Sequence, residues 1–108
     1  RYPPFADLFS FTVTGADESR VIRAAKALRD ALGYAVERRE ELKPLSIEVL
    51  GPAGASVVKV NNRYRYRVFL VGKGCPALRR LVAEYLYAFY QHKENRGLDI
   101  FADCNALQ

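Results

Sequence analysis

Arg63-Tyr64-Arg65-Tyr66-Arg67-Val68-Phe69-Leu70-Val71 is the stretch on which the fold turns. Aromatic and β-branched residues dominate it, and its side chains alternate with the period of two that a strand imposes. One set is Tyr64, Tyr66, Val68 and Leu70; the other is Arg63, Arg65, Arg67, Phe69 and Val71. Three arginines cannot share a small core without matched acids, so the tyrosine set is predicted to face inward. The arginine set then lies on a free sheet face.

Upstream of this strand, Leu45, Ile47 and Val49 alternate with Ser46 and Glu48, a second strand expected to end at Gly51-Pro52. Residues 53–63 are small and then basic, and read as a flexible hairpin arm with partial strand character. Further back, Phe9, Phe11 and Val13 alternate with Ser10, Thr12 and Thr14 in a strand from Leu8 to Thr14. Gly15-Ala16-Asp17 ends it, with Asp17 as the N-cap of a helix. Val21, Ala24, Ala25, Leu28 and Leu32 recur at helical spacing, and Gly33 is expected to stop that helix. Val36 to Lys43 reads as a charged connection, the end of the first helix plus a loop. Downstream, Lys73-Gly74-Cys75-Pro76 leads into a second helix with Pro76 at its first turn. Its apolar stripe is Leu78, Leu81, Val82, Tyr85, Leu86 and Phe89, and Asn95-Arg96-Gly97 closes it before a last strand from Leu98 to Asp103.

The predicted order is β-α-β-β-α-β. It implies an α+β, ferredoxin-like split sandwich: a four-stranded antiparallel sheet with two helices on one face. Residues 1–108 read as one domain, with 1–7 as an extended connector because Pro3 and Pro4 keep the chain out of helix.

With 108 residues, half of them hydrophobic, the chain can bury one modest core. No apolar run is long enough to span a bilayer as a helix, and the N-terminus lacks the apolar segment of a signal peptide. The absence of any Met, an initiating one included, is what an excised fragment would show, and a mature processed protein would look the same. Cys75 and Cys104 have no CxxC spacing and only His92 as a possible companion, so no metal site is expected. Both thiols read as reduced, though a disulfide between them stays open. His92 at the polar end of the second helix, and Asp99 and Asp103 without a partner carboxylate, offer no acid-base pair. Gly72-Lys73-Gly74 is not a phosphate-binding loop. Thr14-Gly15-Ala16-Asp17 lacks the Gly-rich anion loop and arginine of an acylphosphatase-like enzyme. No catalysis is expected of this chain.

A net charge of +5 points instead to a polyanionic partner. From Lys59 through Lys73 there is no acid, while Lys59, Arg63, Arg65, Arg67 and Lys73 supply cations and Phe69 an aromatic surface. These six residues are the candidate DNA contacts. The free face should carry Thr12, Glu48, Arg65, Arg67, Phe69, Val71, Asp99 and Phe101. The competing arrangement has Arg65 and Arg67 paired across the sheet with Glu48 and Asp99. Tyr87 and Tyr90, off the stripe of the second helix, are candidates for docking another domain, together with Tyr2 and Phe5 near the start.

Four stretches together resemble the C-terminal domain of PriA-type replication-restart helicases. Tyr2-Pro3-Pro4-Phe5 is similar to the segment that opens that domain, and Val49-Leu50-Gly51-Pro52-Ala53 to its V-L-G-P-x-P segment. Lys59 through Arg67 looks like its basic hairpin, and Phe101-Ala102-Asp103-Cys104-Asn105 like its terminal D-x-[DN]-P. The chain departs from the pattern at Ala53-Gly54-Ala55, where prolines are missing, and at Ala106. The resemblance implies an accessory domain that contacts branched or duplex DNA, with Lys59, Arg63, Arg65 and Arg67 as the DNA-facing element. It further implies a cytoplasmic bacterial parent, an ATP-dependent 3′→5′ DNA helicase, whose ATP, Mg and Zn sites lie outside these residues. Implied partners are forked DNA, the helicase lobes of the same chain, single-stranded-DNA-binding protein and primosome proteins, with no membrane. A structural role, bracing the helicase lobes or docking primosome partners, is the other reading.

Overall fold

A computed structural model describes residues 6–106. The elements run β1 (Ala6–Gly15), α1 (Glu18–Arg38), β2 (Glu48–Val60), β3 (Arg63–Lys73), α2 (Pro76–Phe89) and β4 (Asp99–Ala106), with short 3-10 turns at Lys43–Leu45 and Lys93–Asn95. The strands form one antiparallel sheet in the order β2-β3-β1-β4. This is the predicted ferredoxin-like architecture.

Period-two alternation places Phe9, Phe11 and Val13 of β1, Val68 and Leu70 of β3 and Ile100 of β4 in one core with the apolar stripes of both helices. Tyr64 and Tyr66 pack against that core on the same side. The Tyr66 hydroxyl donates to Glu18 at 2.6 Å, and this bond to the carboxylate holds the phenol's pKa above its ordinary value. Asp17 caps α1 by accepting from the backbone N–H groups of Ser19 and Arg20. At the C-terminal end of α1, Arg39 grips Glu84 of α2 with two hydrogen bonds of 2.7 Å, which lower the Glu84 pKa.

Gly33 does not end the first helix. α1 runs on to Arg38, because Ala35 and Val36 continue the buried stripe beyond Leu32. That packing outweighs the cost of about 1 kcal/mol that glycine carries inside a helix. A side chain at position 33 would meet nothing within 4 Å. Gly33→Ala is therefore expected to raise stability by about 0.4–1 kcal/mol, seen as a higher urea midpoint at unchanged slope.

Other boundaries also differ from expectation: Leu45 lies in a 3-10 turn, so β2 starts only at Glu48, and β4 runs on to Ala106. Ala6 and Asp7, assigned by sequence to the connector, are paired strand opposite Lys73 and Gly72; residues 1–5 lie outside the described residues. β2 passes through Gly51-Pro52 and on to Val60, so most of the expected flexible arm is strand. Register shifts between Leu50 and Ala53, and between Gly54 and Lys59, absorb the proline and the surplus residues as bulges. A two-residue turn, Asn61-Asn62, then joins β2 to β3 with both residues at positive φ, a conformation asparagine tolerates. α2 ends at Phe89, well before Gly97, which itself carries a positive φ of 84°.

Candidate nucleic-acid interface

Strand register sets the rows of side chains on the face without helices. Thr12 stands between Arg67 and Phe101, Thr14 between Arg65 and Asp99, and Ser10 between Phe69 and Asp103. Thr12 and Val71, expected on display, are in fact 1% and 3% exposed. Short side chains in central strands sink between longer neighbours.

The three arginines of β3 have different fates. Arg63 Nη2 donates to Asp99 at 2.9 Å and to the carbonyl and hydroxyl of Thr14 at 3.3 and 3.2 Å. One internal carboxylate thus occupies it. Arg65 makes a single long bond of 3.4 Å to the Val57 carbonyl. Arg67 makes no hydrogen bond among the described residues, and its Nε is buried without an acceptor. Neither has a carboxylate partner there. The expected competition from Glu48 fails on register, because Glu48 sits opposite Val71, four residues and roughly 13 Å along β3 from Arg67.

Lys59 does not join this group. It pairs with Tyr64, so it shares the helix-side face, with its ammonium 5.2 Å from the centre of the tyrosine ring. Lys73 is exposed at the far end of β3, opposite Ala6 and roughly 33 Å from Arg63. Phe69 is half-buried beside Arg67. The sheet therefore gathers Arg65, Arg67 and Phe69, with Arg63 tethered at the margin.

The family described as the primosomal protein N C-terminal domain matches residues 1–105. The chain belongs to this family. Its relatives include the probable replication restart protein PriA of Deinococcus radiodurans, 37% identical over 75% of the chain. The replication restart protein PriA of Synechocystis is 30% identical over 64% of the chain. The chain spans about 8% of the length of both relatives. Among solved structures, the designed protein Foldit4 is similar in fold (TM-score 0.64, 14% identity, 95% of this chain and 99% of that one). So is a dimeric ferredoxin-like protein from an uncultured marine organism (TM-score 0.52, 9% identity, 95% of each chain).

On this primosomal C-terminal domain the candidate docking tyrosines also separate. Tyr90 is built into the fold: its hydroxyl accepts the Ile100 N–H at 3.1 Å and faces Asp99 and the Ile100 carbonyl at 3.4 Å. Tyr87 is 72% exposed. Tyr2 and Phe5 lie outside the described residues. Both cysteines are free, Cys104 exposed and Cys75 half-buried. Among the described residues, no three His, Cys, Asp or Glu side chains converge on a metal position. Among the same residues, no helix is long and apolar enough to cross a membrane.

Of two further features, one escaped the sequence reading and the other was placed by it without a role. A groove of about 690 Å³ separates α1 from α2, floored by Ala24, Ala27, Ala31 and Ala88 with Arg23 and His92 at its edge. Its signal was the alanines at helical spacing, which leave room where larger residues would close the gap. The second is Phe101, placed on the free face from sequence but not counted among the contacts; it is 45% exposed in the row of Arg67.

Proposed function

We propose that this domain is a DNA-holding accessory unit of a replication-restart helicase, contacting branched or duplex DNA chiefly through phosphates. The observation that carries this reading is the pair Arg65 and Arg67, two guanidinium groups without a carboxylate partner among the described residues, on the helix-free face of a chain of net charge +5. Arg63, held by Asp99, borders this pair; Lys73 lies roughly 20 Å from Arg67 at the far end of β3, and Lys59 adds a charge on the opposite side of the hairpin. Charge-neutralised phosphates release counterions, which makes such binding salt-dependent.

The parent, by family resemblance, is an ATP-dependent 3′→5′ DNA helicase of the bacterial cytoplasm. ATP, Mg and Zn bind elsewhere in it, and its partners are single-stranded-DNA-binding protein and other primosome proteins. The test at this level is a titration of the 108-residue chain with forked and linear duplex DNA at two salt concentrations. Fork binding that weakens with a slope of about −0.9 in log K per phosphate, to a total near −2, is the expected result. No binding even at low salt would sink the proposal.

A second reading has support of its own. Tyr87 is widely exposed, and the alanine-floored groove beside α2 offers apolar area of the kind that docking surfaces use. On this reading the domain braces the helicase lobes, and deleting it destabilises the motor while the isolated chain ignores DNA.

A further inference from the structure

We propose that the free sheet face binds unpaired DNA, with a base stacked on Phe101 and the adjoining phosphates held by Arg67 and Arg65. This rests on the phosphate-contact reading above and deepens it by naming single-stranded DNA as what this face takes. Phe101 is a large aromatic ring left 45% exposed on β4, where Phe11, on the opposite side of the neighbouring strand, is wholly buried. Thr12 is the only residue between Phe101 and Arg67 in their row, and it is 1% exposed, a low floor between a ring and a cation. Cα atoms two strands apart lie roughly 10 Å from each other. That is within the span of one nucleotide from base to neighbouring phosphate.

Arg67 is free to serve. It gives no hydrogen bond to the protein among the described residues, and its buried Nε lacks an acceptor, so turning the guanidinium outward breaks no bond of the fold. Phe69, two residues along β3, adds a second aromatic surface next to Arg67. Acids limit the footprint on the other side. Asp103 stands in the Ser10 row and Glu48 opposite Val71, whereas Asp99, in the Arg65 row, is bridged by Arg63 at 2.9 Å, so the phosphate backbone is held around Arg65 and Arg67. Every base has a π-face, so stacking of this kind is tolerant of sequence but demands that the base be unpaired. A duplex can offer this face only its phosphates.

The test uses the 108-residue chain, a short oligothymidylate and a linear duplex of equal length. Phe101→Ala and Phe101→Leu should each weaken oligothymidylate binding about tenfold, leaving duplex affinity and the salt slope unchanged, because no phosphate contact is lost. Leucine keeps apolar cover over the sheet but has no π-face, so its loss would separate stacking from packing. The sequence has no tryptophan, so Phe101→Trp supplies a single reporter, expected to be quenched by oligothymidylate and not by duplex. Unchanged oligothymidylate binding in both truncations overturns the proposal, as does a chain that binds duplex but no oligothymidylate. In both cases duplex binding that still depends on Arg65 and Arg67 leaves the phosphate reading standing.

Discussion

Fork affinity is expected to fall about tenfold or more when Arg65 and Arg67 are both replaced by glutamine, with the slope of log K against log salt shallower by about 1.8. Glutamine keeps most of the stem that packs along the sheet and removes only the charge. Neither guanidinium is engaged by an acid among the described residues, so the fold should lose little, within about 0.5 kcal/mol. Arg63→Gln provides the internal contrast. Its guanidinium is already held by Asp99 and Thr14, so its removal should barely change the salt slope. Electrophoretic or anisotropy titrations at several salt concentrations check both. A double variant with the parent's slope would show that the phosphates are held elsewhere; equal effects from Arg63 and the pair would show that the Asp99 bridge opens on binding.

Phe11→Ala should be the most damaging single truncation, at about 3–5 kcal/mol. Phe11 is 0% exposed in β1, a central strand paired with β3 and β4, and belongs to the core that the sheet shares with the helices. Domains of this size hold about 5–15 kcal/mol in total, so the variant sits at the edge of unfolding. Urea denaturation should show a much lower midpoint at unchanged slope, and the Tm should drop by about 15 °C or more. Phe101→Ala, the same chemical change on the exposed side of the adjacent strand, should cost about 1 kcal/mol or less. Similar losses at the two positions would mean that the faces of the sheet are assigned the wrong way round.

Much of this was legible in the residues. Alternation from Arg63 to Val71 separates tyrosines from arginines, and the period-two rule is so local that no other part of the chain can change it. The stripes Val21 to Leu32 and Leu78 to Phe89 identify the helices in the same way. Punctuation by glycine and proline was less dependable. Gly33 is passed over because two further apolar residues reward the continued helix, and Gly51-Pro52 is accommodated at a bulge because β2 is an edge strand, where a missing N–H costs the ladder little.

The candidate site shows the same division. That Arg63, Arg65 and Arg67 share one face followed from sequence alone, as did the position of Phe101. That Asp99 takes Arg63, that Glu48 reaches none of the three, and that Lys59 turns to the side of Tyr64 depended on inter-strand register. Alternation along a strand is a property of its own backbone. Which acid meets which arginine depends on how strands distant in sequence slide and bulge against one another, and only the packed sheet settles that.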